Sequence, residues 1–375
     1  MPAEKMKIIV AYASAGSGHR RAAEAVYNYL KENCPKADIA IIDALEKANF
    51  FFRLLYTGGY AFLINHALWA WRLGFWITSI RWLNRATKFF NCWINRVNLN
   101  SFFGFLTREN PEIIISTHFL PSEIAAHLRN KRKIRSSITT VITDFGVHPF
   151  WVVEGTDTYI AACASTKQEL IRQKVNAEKI RDTGIPIDLK FSRPYDKKAL
   201  REKLGIPPDK FTVLVSTGSS SIGAIEDAAV LLCASMQVLV VCAQNKALYS
   251  RLRKKACPGI KLFGFVDNIE ELMAVSDIIV AKPGGLTISE SLSMGLFPIF
   301  ITAIPGQETK NAQVLAENSV GLLLNDVSSL KERISGLLDP DRIKAAREAI
   351  DKLKRPMAVK ELCDALCGDS LRASD

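Results

Sequence analysis

Three groups of residues in this chain of 375 have types and spacings that could do chemistry. The densest is Lys282-Pro-Gly-Gly-Leu-Thr-Ile-Ser-Glu290, with Pro305-Gly-Gln-Glu308 after it. Ahead of it, Asp277-Ile-Ile-Val-Ala281 is short and apolar, as a buried parallel strand is, and Leu286 to Met294 reads as a helix that stops at Gly295. Gly284 and Gly285 thus stand where a strand ends and a helix begins. Backbone N–H groups are bare there, at the positive end of the helix dipole, which suits a phosphate. Thr287 and Glu290 lie within the first turns of that helix, and a carboxylate so placed can accept both hydroxyls of a ribose. Gln307 and Glu308 follow the next strand, Phe297 to Thr302, and are able to hold sugar hydroxyls at the same sheet edge. A second phosphate-sized turn, Thr217-Gly218-Ser219-Ser-Ser221, follows the strand Phe211 to Ser216.

The second group is titratable. His19 lies in the turn between a strand, Met6 to Tyr12, and a helix, Arg21 to Asn33. His118 follows the strand Pro111 to Ser116, and Asp144 and His148 follow the strand Ser137 to Thr143. All sit at carboxyl ends of parallel strands, the edge where open α/β sheets bind ligands, so they are expected to converge on one cleft. Histidine titrates near the working pH and suits acid–base work. Asp144 can take a proton from an acceptor hydroxyl directly or by orienting His19, and the sequence leaves both routes open. Gly16-Ser-Gly18 with Asp43 at the end of the second strand keeps a dinucleotide reading alive, weakened because Arg21 occupies the third glycine position. No Gly-Lys-Ser/Thr follows, so the turn is not a P-loop. Asp339-Pro-Asp341 is formally an Asp-x-Asp metal motif, but a proline opening a helix explains it better, and no metal site is expected.

The third group is the region Phe50 to Leu106. No acidic residue occurs between Glu46 and Glu109, while five of the six tryptophans (Trp69, Trp71, Trp76, Trp82, Trp93) lie there with Arg53, Arg72, Arg81, Arg85, Lys88 and Arg96. A membrane-spanning helix needs about 20 apolar residues. Tyr60 to Ile80 has that length but contains Asn65, His66 and Arg72. Amphipathic helices lying at a lipid surface fit better, with Trp69 and Trp76 at headgroup level and Arg72 and Arg81 toward anionic lipid. The region is too apolar for a single-stranded nucleic-acid groove, so no nucleic-acid partner is expected.

The elements that position these groups alternate strand and helix in two rounds, which is the pattern of an α/β fold with parallel sheets. Thr183-Gly-Ile-Pro-Ile-Asp188 reads as the crossing between the rounds, and Ser328 to Leu371 is helical by pattern. The expected division is 1–187, carrying the insertion 50–106; 188–340; and a helical tail, 341–375. Asp196 to Leu204, rich in charge, is expected as a surface helix. Lys plus Arg exceed Asp plus Glu by 49 to 38, a net +11 that favours an anionic partner without choosing among them. The eight cysteines form no Cys-x-x-Cys pair and fall largely in apolar runs, so free buried thiols in a reducing compartment are expected. Met6 to Ala11 is only a strand's length, so no signal peptide is expected.

Pro283-Gly-Gly-Leu-Thr-Ile-Ser-Glu290 with Gly306-Gln-Glu308 resembles the donor site of GT-B glycosyltransferases. The subgroup it resembles holds the monogalactosyldiacylglycerol synthases, the processive diacylglycerol glucosyltransferases and the peptidoglycan GlcNAc transferase. Gly16-Ser-Gly-His-Arg20 is similar to their glycine-rich opening, with Ala15 where they carry a third glycine, and Thr143-Asp144…His148…Trp151 resembles a further segment. The resemblance implies two Rossmann-like domains facing a cleft, with a C-terminal helical tail. It places UDP pyrophosphate at the glycine turn Gly284-Gly285, with Thr287 in the same matched segment, uracil at the backbone of Phe265 and Val266, ribose on Glu290, and the donor sugar on Gln307 and Glu308; Thr217, Gly218, Ser219 and Leu286 are further donor-binding candidates beside that match. It puts the loop of Gly16 and Gly18 on the acceptor side, where His148 and, by its place at the same sheet edge, His118 are also candidates, and makes His19 or Asp144 the base. The implied reaction is transfer of a hexose from UDP-glucose or UDP-galactose to diacylglycerol at an anionic membrane, at the cytoplasmic face, with no cofactor besides the donor. A different lipid acceptor, such as a polyprenyl-linked sugar, and a non-catalytic protein that senses UDP-sugar at a membrane are the alternatives.

Overall fold

The computed structural model describes residues 5–79, 94–216, 223–255, 257–301 and 303–367. Thr217, Gly218, Ser219 and Arg81, expected to bind donor or lipid, lie outside the described residues. The chain forms two compact units. The first comprises Met1–Asp188, Ile304–Gln307 and Met357–Asp375; the second comprises Leu189–Ala303 and Glu308–Pro356.

In the first unit the apolar runs become β1 (Lys7–Tyr12), β2 (Asp38–Asp43), β3 (Ile113–Ser116), β4 (Ser137–Val141), β5 (Thr158–Ile160) and β6 (Ile180–Arg181). They form one parallel sheet in the order β2-β1-β3-β4-β5-β6. Runs such as Ile8-Ile-Val-Ala11 and Ile113-Ile-Ile115 are buried along their length because helices cover both faces of a parallel sheet. Those helices include α1 (Ser17–Asn33), α2 (Phe50–His66), α3 (Leu68–Ser79), α4 (Asn100–Glu109), α5 (Phe119–Asn130) and α6 (Ala164–Arg172). A core joins Ile9, Ala11, Leu45, Phe102, Leu106, Ile114 and Ile124 across these elements, and Phe52 and Tyr56 of α2 pack against it.

The second unit repeats the plan with β7 (Thr212–Ser216), β8 (Gln237–Val241), β9 (Ile260–Phe263), β10 (Ile278–Ala281), β11 (Phe297–Phe300) and β12 (Leu322–Leu323), parallel in the order β12-β11-β10-β7-β8-β9. Its helices include α7 (Lys197–Lys203), α8 (Gly223–Leu232), α9 (Lys246–Lys254), α10 (Ile269–Val275), α11 (Gly285–Ser293), α12 (Gln307–Glu317), α13 (Leu330–Leu337) and α14 (Pro340–Leu353). Asp339 caps α14 by accepting from the Asp341 and Arg342 amides, which is the use of Asp339-Pro-Asp341.

The C-terminal segment is helical, as expected: α14 belongs to the second unit, and α15 (Ala358–Cys367) packs on α1 in the first, where Tyr29 Oη donates to Asp364 at 3.5 Å. Two features differ from the expectations. Cys233 and Cys257 are joined in a disulfide instead of being free. Pairing of β8 with β9 draws the end of α8 against the turn before β9, where Gly259 lies so close to the Cys233 carbonyl that a Cβ would collide with it. Cys34, Cys163, Cys242 and Cys363 are buried thiols outside any disulfide, as expected. Finally, α7 buries one of its charges: the Arg201 guanidinium donates to the carbonyls of Pro207, Lys210 and Val275 and to Thr212 Oγ1.

Candidate active site

Each sheet has one place where the chain reverses its direction of travel across the sheet. In the first unit β1 leads outward to β2, while β3 starts the run toward β6; in the second, β7 leads to β9 while β10 starts the run toward β12. The loops leaving the two strands at such a switch diverge and open a crevice beyond their carboxyl ends. His19 follows β1 and His118 follows β3; Lys282 to Gly285 follow β10.

In the first unit the turn Ala13–Gly16 is tied down by Asp43, whose Oδ1 accepts from the amides of Ser14 at 3.2 Å and Leu45 at 2.9 Å. That buried carboxylate holds the loop, which is a different task from the ribose contact that a dinucleotide site would give it. Gly16, the residue before α1, has φ of 149°, and nothing lies within 4 Å of where its Cβ would be. Glycine is required there by the backbone conformation rather than by space.

His19, in the first turn of α1, is stapled by Thr117. The Thr117 hydroxyl donates to the His19 carbonyl at 2.8 Å, and the His19 Nδ1–H donates to the Thr117 carbonyl at 2.9 Å. A carbonyl oxygen can only accept, so Nδ1 carries the proton of the neutral ring and Nε2 presents a lone pair. Thr143 Oγ1, at 2.9 Å from the same Nδ1, shares that proton. Burial pushes the His19 pKa down to about 4, against a partial lift from the Thr117 bond, so the ring is neutral at ordinary pH.

His118 stands edge-on to His19 with ring centroids 4.6 Å apart, and Trp151 packs beside both. It is the residue before α5 and caps that helix: its Nδ1 accepts from the Leu120 amide at 3.1 Å, so its proton sits on Nε2, the opposite tautomer to His19. Burial first, and the nearby His19 second, push its pKa well down. His148 likewise caps the turn Pro149–Trp151, accepting from Phe150 N on Nδ1 at 3.3 Å. Its Nε2 therefore donates, to Thr78 Oγ1 on α3 at 3.3 Å. Asp144 is buried and accepts a bond from Gln307 Nε2 on Oδ2, the stretch Ile304–Gln307 belonging to this same unit.

α2 and α3 have two faces. Trp71, Phe75 and Thr78 of α3 turn inward, and the Phe75 ring packs tilted against His148 with centroids 4.5 Å apart. The outward face leaves Phe51, Leu55, Phe62, Trp69, Leu73 and Trp76 in solvent, Trp69 by 73% and Trp76 by 62%, with Arg72 exposed among them. No helix among the described residues is long and apolar enough to cross a membrane.

In the second unit Pro283 and Gly284 form the turn into α11, and no side chain caps that helix. The amides of its first turn have no partner within the helix and aim outward. Asn311 on α12, fully buried, donates from Nδ2 to the Pro283 carbonyl at 3.0 Å and so fixes the turn. Glu290 is buried in α11. Lys282 has its pKa lowered by burial, against an opposing pull from Glu308. Phe265, after β9, is 67% exposed and Val266 beside it is half-buried. Among the described residues, no group of three or more His, Cys, Asp or Glu side chains is gathered as for a metal ion.

Residues 19–187 match the family Monogalactosyldiacylglycerol (MGDG) synthase, and residues 212–362 match the Glycosyltransferase family 28 C-terminal domain. A processive diacylglycerol beta-glucosyltransferase of Bacillus cytotoxicus is 30% identical over 274 residues, 70% of this chain and 69% of that one. The chain belongs to the MGDG synthase and processive diacylglycerol glucosyltransferase family. The relative of the same name from Staphylococcus haemolyticus aligns over 98% of this chain and 93% of its own, at 26% identity. Among solved structures, MurG of Acinetobacter baumannii has a TM-score of 0.60 at 13% identity, covering 96% of this chain and 99% of its own. A UDP-GlcNAc 2-epimerase of Neisseria meningitidis has a TM-score of 0.59 at 12% identity, with 96% and 99% covered. These likenesses give the fold, GT-B, and the family makes the chain a glycosyltransferase.

For this glycosyltransferase, the structure adds residues that the sequence reading did not single out. Thr117 acts on His19 through its main-chain carbonyl, which a sequence pattern does not register. Thr143 stands in sequence only as part of a resembling segment, and its bond to His19 spans 124 positions. Asn311 shows in sequence only as a polar residue early in an amphipathic helix. Trp71 stands in sequence only as one of the five tryptophans of the insertion and Phe75 is one of its many apolar residues, although both face inward.

Proposed function

We propose that the protein is a peripheral membrane glucosyltransferase at the cytoplasmic face, which moves glucose from UDP-glucose to diacylglycerol with inversion and gives a β-glucosyl diacylglycerol. The observation that carries the reading is the alignment along nearly the whole chain with relatives named processive diacylglycerol beta-glucosyltransferase. That name also favours glucose over galactose as the sugar.

His19 is the base. Its Nε2 lone pair takes the proton of the diacylglycerol hydroxyl while that oxygen forms its bond to the anomeric carbon. The bond from the anomeric carbon to the UDP oxygen breaks, and UDP departs with the electron pair. The support for His19 over Asp144 is the fixed tautomer, together with the Gln307 bond that already engages the Asp144 carboxylate. Asp144 then has a positioning role at the same edge. The first-turn amides of α11, at Gly285, Leu286 and Thr287, meet the pyrophosphate charge as it develops, backed by the helix dipole. Glu290 takes the ribose hydroxyls, Phe265 and Val266 flank the uracil, and Gln307 and Glu308 read the glucose.

The outward faces of α2 and α3 are the membrane surface. They combine exposed Phe, Leu and Trp side chains with basic residues and no acidic residue. A test combines purified protein, anionic liposomes containing diacylglycerol, and UDP-glucose or UDP-galactose, each with and without EDTA. Glucolipid formed from UDP-glucose and unaffected by EDTA is the expected product. Transfer from UDP-galactose alone would overturn the sugar assignment, and no lipid product from either donor would overturn the acceptor.

A further inference from the structure

The inner face of α3 holds the strap Ile304–Gln307 as well as His148. Trp71 Nε1 donates to the Pro305 carbonyl at 3.0 Å. The Phe75 ring lies directly under Gly306, so that a Cβ on Gly306 would stand 2.7 Å from its Cγ and Cδ1 atoms. Gly306 also has φ of 101°, a conformation that side chains disfavour. The next residue, Gln307, donates to Asp144. The helix that shows Trp69, Leu73 and Trp76 to solvent therefore touches, one turn away on its other face, the residue preceding the one bonded to the carboxylate.

We propose that Trp71 and Phe75 are positioning residues for the transfer reaction: they seat the strap Pro305-Gly306-Gln307, and through it they set Gln307 on Asp144. This rests on the function proposed above. It gives the lipid-facing helix a second task, in which the surface that meets the acceptor's bilayer and the strap that reaches the reacting groups are two sides of one element. Glycine at 306 is then explained by the ring beneath it, and the Trp71 indole N–H by the carbonyl it holds.

The test is a double-mutant cycle read by turnover. Phe75→Ala is expected to lower kcat about tenfold, with the KM for diacylglycerol and partition onto liposomes unchanged, because the outer face of α3 is untouched. Trp71→Phe, which keeps the ring and loses the N–H, is expected to lower kcat by a smaller factor in the same pattern. Gly306→Ala is expected to cost more in the wild-type background than in Phe75→Ala, where the new methyl group has room. Equal losses in both backgrounds, or a fall in liposome partition that accounts for the lost turnover, would overturn the proposal. Wild-type turnover reads the proposed function separately. If wild type transfers no sugar, amide hydrogen exchange of the peptide spanning residues 303–308 decides instead: faster exchange in folded Phe75→Ala supports the strap, and unchanged exchange sinks it.

Discussion

The pH dependence of His19 is the sharpest consequence of its surroundings. A free histidine titrates at 6.5, whereas burial holds this one at about 4. The fold therefore favours the neutral ring. The associated stability is fully present above pH 6.5 and is lost as pH falls from 6.5 through about 4, because the unfolded chain takes up the proton first. The full difference is about 3 kcal/mol, of which about 2.5 kcal/mol is lost by pH 4.5. Urea unfolding of wild type and His19→Gln at several pH values between 7.5 and 4.5 measures it. The two stability curves are expected to converge by about 2.5 kcal/mol over that range. His118 titrates in both proteins and cancels, apart from the part of its shift that comes from the charge of His19. The same number fixes the kinetics. With a pKa of about 4, only about 3% of His19 is protonated at pH 5.5, where an unperturbed ring would be about 90% protonated. Transfer measured as kcat/KM for the donor should thus stay nearly level from pH 7.5 to 5.5, while His19→Gln should lower it at every pH by about a hundredfold or more. Parallel stability curves together with an acid limb near 6.5 would refute the claim that the Thr117 staple holds a desolvated, neutral ring.

Other perturbations separate the remaining parts. Glu290→Gln removes the charge from the expected ribose contact and should weaken the donor's kcat/KM by about tenfold to a hundredfold, leaving the KM for diacylglycerol alone. Asn311→Leu strips the Pro283 carbonyl of its donor; thermal or urea unfolding should show a loss of about 1–3 kcal/mol, with a raised KM for the UDP-sugar. The double substitution Trp69→Ser with Trp76→Ser changes two exposed rings, so stability should hold within about 0.5 kcal/mol. Cosedimentation with anionic liposomes should nevertheless fall by about tenfold for each ring. An unaltered partition would move the membrane contact elsewhere on the chain.

The parallel sheets were legible because each strand is an uninterrupted apolar run, and burial on both faces of a sheet leaves no other pattern. The turn after β10 was legible for the same reason that it is suited to phosphate: Pro283-Gly284-Gly285 can only be a break between a strand and a helix. Boundaries were off by a residue or two where the run extends past the last ladder pair, as at Met6 before β1 and at Ile142 and Thr143 after β4. What stayed hidden was made by main-chain atoms or by distance. The tautomer of His19 depends on the carbonyl of Thr117, 98 positions away, and no side-chain identity encodes it. The Cys233–Cys257 bond depends on β8 and β9 being neighbours, which the order of the elements permits without requiring.

The histidines show why residue type alone could not assign roles. His19, His118 and His148 all fall beyond the carboxyl ends of first-unit strands, and the sequence expects all of them to converge on one cleft. The hydrogen bond at Nδ1 divides them. At His118 and His148 it accepts an amide from two residues further on, so the ring serves as a cap and its proton sits on Nε2, which at His148 donates to Thr78. At His19 the same atom donates to a carbonyl, so Nε2 carries the lone pair instead. A ring that faces a hydroxyl with a lone pair can take its proton, and one that faces it with an N–H can only hold its oxygen. One accepting and one donating histidine, 4.6 Å apart, are therefore complementary: in the reaction proposed above the lone pair of His19 suits the acceptor proton, and an N–H such as that of His118 suits an oxygen.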